Sequence, residues 1–267
     1  MSSWAAFIES APASDHVVQI YDDVRDLAAS VGSFLDAGFT AGAPAVVIAT
    51  AVRWPRYAAE LEARERDPDA LERTGKLRRA EAEQLLEEFM EAGLPSRERF
   101  EQVVGGLIDQ LAASFPNTTV RAFGEMVDVL VQRGEEQAAL VLEELWNDLA
   151  RRRSVALLCG YRLDIFDVEV QKGVLPELFK THSHVRPVAE PARLAAAVDH
   201  ALVEVVGPVE AARIYLDVAS NVAKGSVPRG QAVLGWLSIN DSPVAATVLE
   251  RARSHYGRLR APAAASA

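Results

Sequence analysis

Four short apolar runs, rich in β-branched residues and separated by stretches of helical period, constrain this chain more than anything else in it. They are His16–Tyr21 (HVVQIY), Pro44–Thr50 (PAVVIAT), Thr118–Phe123 (TTVRAF) and Ser154–Tyr161 (SVALLCGY). A run without polar alternation, such as PAVVIAT, suits a strand covered on both faces. Lys76–Ala80 is a weaker candidate of the same kind. Between the runs the apolar residues return at helical spacing, as with Leu27, Val31, Phe34 and Leu35 in Val24–Thr40. Tyr57–Arg66, Glu81–Glu91, a helix capped by Ser96 and running to Ser114, Glu125–Gln132 and Glu135–Arg152 read likewise. Parallel strands need crossovers of a dozen residues or more, and these segments supply them. The expectation is a three-layer α/β domain whose central sheet is mostly parallel and has about five strands.

After Tyr161 the pattern loosens. Gly173–Phe179 is a short helical candidate, and Thr181–Pro191 reads as a polar, proline-bearing connector. Helices are expected at Pro191–Val206, Pro208–Lys224, Arg229–Leu237 and Ser242–Leu259, with Pro243 tolerated in the first turn. The chain therefore divides into an N-terminal extension (1–13), the α/β domain (14–188), a small all-α module (189–260) and a tail of small residues (261–267) expected to be disordered.

Composition narrows the function classes. With 49% hydrophobic residues in 267, the chain buries a core without staples. A net charge of -10 argues against direct nucleic-acid binding, and the Arg78-Arg79 and Arg151–Arg153 clusters read as solvated ends of elements. Cys159 is the single cysteine, so neither an internal disulfide nor a cysteine cluster for a metal is expected. Such scarcity fits the cytoplasm. The N-terminus does not read as a signal peptide, and no window approaches the ~18 apolar residues of a membrane span.

Parallel sheets bind ligands beyond the C-terminal ends of their strands. The turn after the first strand, Tyr21-Asp22-Asp23-Val24-Arg25-Asp26, has three acids and no glycine, the reverse of a phosphate cradle. Gly75-Lys76 lacks the remainder of a phosphate loop. Ordinary ATP binding is thereby excluded, and no cofactor or metal is expected. No nucleophile elbow is present, and Cys159 reads as a packing residue. His182 and His184 stand two apart and would point the same way in an extended segment, a feasible metal pair, although a plain polar linker is the simpler reading. His16 reads as a surface or hydrogen-bonded histidine.

The densest constellation is residues 120–149. Arg121 lies in a strand, and Gly124-Glu125 turns the chain into a helix, where a carboxylate suits the helix dipole. Ala138, Val141, Leu142, Leu145 and Leu149 form a core stripe. Glu143, Trp146 and Asn147 share a second face. That face either lines a pocket or packs, with Trp146 against a helix and Glu143 beside an arginine.

His16-x-x-Gln19-x-Tyr21, Val120–Val127 (VRAFGEMV), Leu142–Leu149 (LEELWNDL), Leu157–Tyr161 (LLCGY) and His182–Pro187 (HSHVRP) together resemble the MEDS domain, the DcmR-like sensory family of methanogens and methylotrophs. The resemblance covers residues 14–188. It implies a RecA/KaiC-type fold that has lost its phosphate loop, and a sensor of small hydrocarbon-derived or methylated molecules. It also implies His16, Arg121, Glu125, Trp146, Asn147, Tyr161 and His184 as ligand-binding residues, with Tyr21 and Glu143 from the same segments joining the set. Members are usually fused to histidine kinase, PAS or DNA-binding modules. No such module is evident here, and Glu81-Ala82 stands where members often have Asp-Ala.

Three functions follow in order. The first is a non-catalytic regulatory protein that senses a small molecule and signals to a protein partner such as a kinase or regulator. The second is a ligand-free scaffold, with the helical module mediating homo-oligomerisation. The third is an enzyme, which requires Glu81, Glu125 and Glu143 to converge with raised pKa values.

Overall fold

The structure, a computed structural model, describes residues 4–182, 184–186, 188, 190–221, 227–240 and 242–258. The segment expected to be a disordered tail, and the expected helix ends at Lys224 and Leu259, lie outside these residues. By internal contacts the chain forms two compact units, Met1–Arg162 with Thr181–Arg186, and Leu163–Lys180 with Pro187–Ala267.

The first unit opens with α1 (Trp4–Ser10), β1 (His16–Tyr21), α2 (Val24–Thr40), β2 (Ala45–Ala49), α3 (Trp54–Glu62), α4 (Pro68–Arg73), β3 (Leu77–Glu81) and α5 (Ala82–Phe89). A small hairpin, β4 (Met90–Glu91) with β5 (Leu94–Pro95), leads into α6 (Arg97–Phe100). A π-helical turn at Glu101–Gly105 joins α6 to α7 (Gly106–Ser114). Then come β6 (Val120–Gly124), α8 (Met126–Gln132), α9 (Glu136–Arg152) and β7 (Val155–Arg162).

After α10 (Val168–Lys172) and α11 (Val174–Thr181) the chain supplies a last strand, β8 (His184–Arg186), to the sheet. The six strands run in the order β3-β2-β6-β7-β1-β8, and every pairing is parallel. The mostly parallel three-layer expectation holds.

The connector is corrected. Residues 184–186 form an edge strand on β1, with Val17 opposite His184. Three residues with one aliphatic side chain carry no periodic signal, and the partner strand is what makes them extend.

Two helix ends also move. Glu81 ends β3, and its carboxylate accepts from Gln84 N at 2.7 Å to cap α5. Met90 and Glu91 leave the helix for the hairpin. Ser96 holds the extended N-cap conformation but makes no side-chain capping bond.

Leu27, Val31, Phe34 and Leu35 of α2 are fully buried on one face of the sheet, with Val17, Val47, Phe123 and Leu158. Close approach there depends on Gly160, where a Cβ would stand 2.8 Å from a Leu27 methyl. The turn after β1 is capped by Asp23, which accepts from Arg25 N at 2.9 Å and presents no glycine.

The second unit is helical: α10, most of α11, α12 (Pro191–Asn221), α13 (Arg229–Asn240) and α14 (Ser242–Arg258). The break expected between two helices at Gly207-Pro208 is present inside α12, where Gly207 adopts φ 79° and ψ 165°. Glycine reaches that conformation without steric penalty. Leu163–Lys180, expected with the α/β domain, packs with these helices; Gln231 Nε2 donates to Gln171 Oε1 at 2.7 Å.

Candidate functional site

Register and parity decide which expected site residues can meet. Directly opposed residues of a parallel ladder project to the same side, and neighbours along a strand alternate. His16 pairs with Leu157, Val18 with Cys159 and Ile20 with Tyr161. His16, Cys159 and Tyr161 therefore share one face, the one covered by α9. Arg121 pairs with Ala156 and Ala45, which lie on the other face with α2. The expected gathering of His16 and Arg121 in one site is corrected: the sheet stands between them.

Arg121 has a different role. Its guanidinium donates to Ile8 O at 3.0 Å, Glu9 O at 3.0 Å and Phe34 O at 3.4 Å. It also stacks 4.9 Å from the Phe34 ring centroid. Its stem crosses α2 at Gly38, where a Cβ would come within 2.5 Å of the Arg121 Cγ. This buried arginine clamps α1, the expected N-terminal extension, onto the domain.

Under α9 the sequence brings five expected or neighbouring residues together around Glu143. Its Oε2 lies 3.3 Å from His16 Nε2 and 3.2 Å from His182 Nε2. Its Oε1 accepts from the Tyr161 hydroxyl at 2.5 Å. His16 Nε2 is also 3.2 Å from Cys159 Sγ, and His16 Nδ1 is 2.9 Å from Asn147 Oδ1. His182 Nδ1 meets Thr181 Oγ1 at 3.0 Å, and the two imidazole rings stand 4.2 Å apart. Glu143, Cys159 and His16 are 1%, 1% and 3% exposed, so charge here is costly without partners.

Burial and the neighbouring His182 push His16 down from 6.5 to about 4, against the pull of Glu143 and Asn147. Burial acts to raise Glu143, but His182 and His16 outweigh it and hold the carboxyl low. Burial and the adjacent carboxylate push the Cys159 thiol and the Tyr161 phenol well up. The donor atoms of His16, Glu143 and Cys159 lie within 4.8 Å of one another, the spacing of a metal-ligand set.

A second buried polar cluster lies at the C-terminal ends of the strands. Glu125 follows β6; its carboxylate accepts from Thr50 N at 2.8 Å, Thr50 Oγ1 at 3.3 Å and Arg53 Nη1 at 3.1 Å, and from the Tyr57 hydroxyl. Asp128 accepts from Arg53 at 2.7 Å, the Tyr21 hydroxyl at 3.0 Å and Arg162 N at 2.8 Å. Burial and the carboxylates raise both tyrosines far above their ordinary range. Glu125 is the N-cap residue of α8 but makes no side-chain capping bond; its carboxylate ties the β2–α3 turn to the β6–α8 turn.

Of the expected site residues, His16, Glu143, Asn147 and Tyr161 come together, and Tyr21 and Glu125 join the second cluster. Trp146 packs edge-on against Phe100 at 5.3 Å and is walled in. Glu143 meets imidazoles where an arginine was the alternative. His184 is exposed on the edge strand, whereas His182 is buried, so the two do not point the same way. The carboxylates named for an enzyme each hold different partners: Glu81 caps a helix, Glu125 meets Arg53, Glu143 meets the histidines. Cys159, Arg53, Tyr57 and Asp128 were not singled out as site residues. Cys159 and His182 stood in the family motifs, but their meeting with His16 depends on tertiary register alone.

The class defined by this fold and these clusters is a three-layer parallel α/β domain in which acids and a helix cap occupy the turn after the first strand. The family model described as MEDS, the MEthanogen/methylotroph, DcmR Sensory domain, matches residues 15–183, and the chain belongs to that family. No curated protein and no solved structure matches it. Among the described residues no helix is long and apolar enough to cross a membrane.

Proposed function

We propose that this chain is a non-catalytic cytoplasmic sensor that binds a small hydrocarbon-derived or methylated molecule in its MEDS domain and signals to a protein partner such as a kinase or regulator. Family membership carries the reading, because the family is described as a sensory domain. The β1–α2 turn supports it, since Asp23 caps the helix where a nucleotide phosphate would need bare amides. The protonated thiol and phenols argue against nucleophilic chemistry at the buried clusters.

The test is thermal unfolding of the full chain with a panel of methylamines, short alcohols and halomethanes, and with ATP. A cognate ligand at a hundredfold its Kd adds about 2.7 kcal/mol, which a melting curve resolves. ATP is expected to leave the midpoint unchanged. A panel with no stabilising member, or stabilisation by ATP, counts against the reading.

A scaffold role for the helical unit is the second reading. On α12, Val209 and Leu216 stand seven residues apart and are 84% and 70% exposed. Such a stripe suits a second copy. Val209→Glu with Leu216→Glu then lowers the mass in solution; an unchanged mass removes this reading.

A further inference from the structure

We propose that His16, Glu143, Cys159 and His182 form a buried binding site for one divalent transition ion of the zinc class. Donors bound tetrahedrally at about 2.0–2.3 Å stand roughly 3.3–3.6 Å from one another. The observed edges are 3.3 Å for His16 Nε2 to Glu143 Oε2, 3.2 Å for His182 Nε2 to Glu143 Oε2 and 3.2 Å for His16 Nε2 to Cys159 Sγ. The donor atoms of His16, Glu143 and Cys159 already lie within 4.8 Å of one another. His182 Nε2 stands 3.2 Å from Glu143 Oε2, outside that set, and joins the ion by a rotation of its ring.

The proton positions point the same way. Asn147 Oδ1 can only accept, so His16 Nδ1 carries the hydrogen and its Nε2 lone pair faces the carboxylate. Two acceptors 3.3 Å apart are favourable only with positive charge between them. Glu143 Oε2 is buried, and it faces two imidazole nitrogens, His182 Nε2 at 3.2 Å and His16 Nε2 at 3.3 Å. Asn147 and Thr181 hold the far nitrogens of the two rings, and Tyr161 holds the other carboxylate oxygen. Ligands oriented from behind in this way are what metal sites require.

Charge selects the ion. A divalent cation with one carboxylate and one thiolate is neutral, which suits a site sealed from water. Binding converts the Cys159 thiol to a thiolate and releases its proton to solvent; no electron moves. A sulfur and two imidazoles favour zinc or cobalt over magnesium or calcium. The site does not depend on the sensory role: metal titration reads it whether or not any small molecule binds.

The experiment uses the full chain, stripped with a chelator and titrated with Zn²⁺ and Co²⁺. A single ion per chain is expected, with cobalt giving tetrahedral visible bands and a thiolate-to-cobalt charge-transfer band. Cys159→Ser, a near-isosteric change, abolishes that band. Asn147→Ala, which removes only a positioning group, weakens affinity about 10–100-fold with the cobalt spectrum retained. Circular dichroism checks that both variants fold. Failure of the folded wild type to retain an ion at micromolar free metal overturns the proposal. So does a cobalt spectrum that Cys159→Ser leaves unchanged.

Discussion

Three carboxylates are sunk in this domain, in two clusters that are neutralised in opposite ways. Glu125, with Asp128 beside it, is met by a guanidinium, two phenols and backbone amides, so every oxygen has a donor aimed at it. Glu143 meets one phenol and two imidazole rings. The first arrangement is complete in itself and fastens turns together. The second is held in place from behind yet lacks fixed positive charge at its centre. Burial alone therefore does not mark a functional acid; the kind of neutralising partner does.

The largest expected effect is at the fastened cluster. Arg53→Met leaves two buried carboxylates without their cation and costs about 3 kcal/mol in urea unfolding, near the low end for a broken buried pair because the arginine side chain is 21% exposed. A loss well under 1 kcal/mol would show that the cluster is open to water, and the contrast would collapse.

Tyr57→Phe and Tyr161→Phe sharpen it. Each removes a phenol from a buried carboxylate and is expected to cost about 2 kcal/mol in chelator-treated protein. With zinc present the cost at Tyr161 shrinks, because the ion shares the charge of Glu143, while that at Tyr57 is unchanged. Equal costs with and without zinc would make the two carboxylates alike.

The smallest effect is in pH. His16 is held at about 4 in the folded chain against 6.5 when unfolded. The unfolded chain then binds more protons between these values, so the stability present above pH 6.5 is lost as pH falls towards 4. In chelator-treated protein the urea midpoint of wild type should fall through this window more steeply than that of His16→Gln. Parallel curves would deny that His16 is buried neutral.

Much of the sheet was legible because parallel strands covered on both faces leave uninterrupted apolar runs, as in SVALLCGY. The weak strand at Leu77–Glu81 and the break at Gly207 were legible too, the first from position and the second from glycine followed by proline. β8 was not, since a three-residue edge strand is specified by its neighbour. Within the site, parity could have separated Arg121 from His16 only once the register of β1, β7 and β6 was known. The sequence offers His182 as half of a pair with His184, and that pairing fails because β8 begins only at His184. Cys159 looked inert because an apolar strand hides what stands across from it.

The strand order carries a consequence for how the chain is made. β1 leaves the ribosome first, yet its neighbours are β7 and β8, which leave last. Until residue 186 has emerged, β1 has no complete set of partners, and its VVQI stretch waits as an open edge while the rest of the domain is synthesised. Completion of the sheet is therefore a late event, in which its first-made strand is captured by its last two.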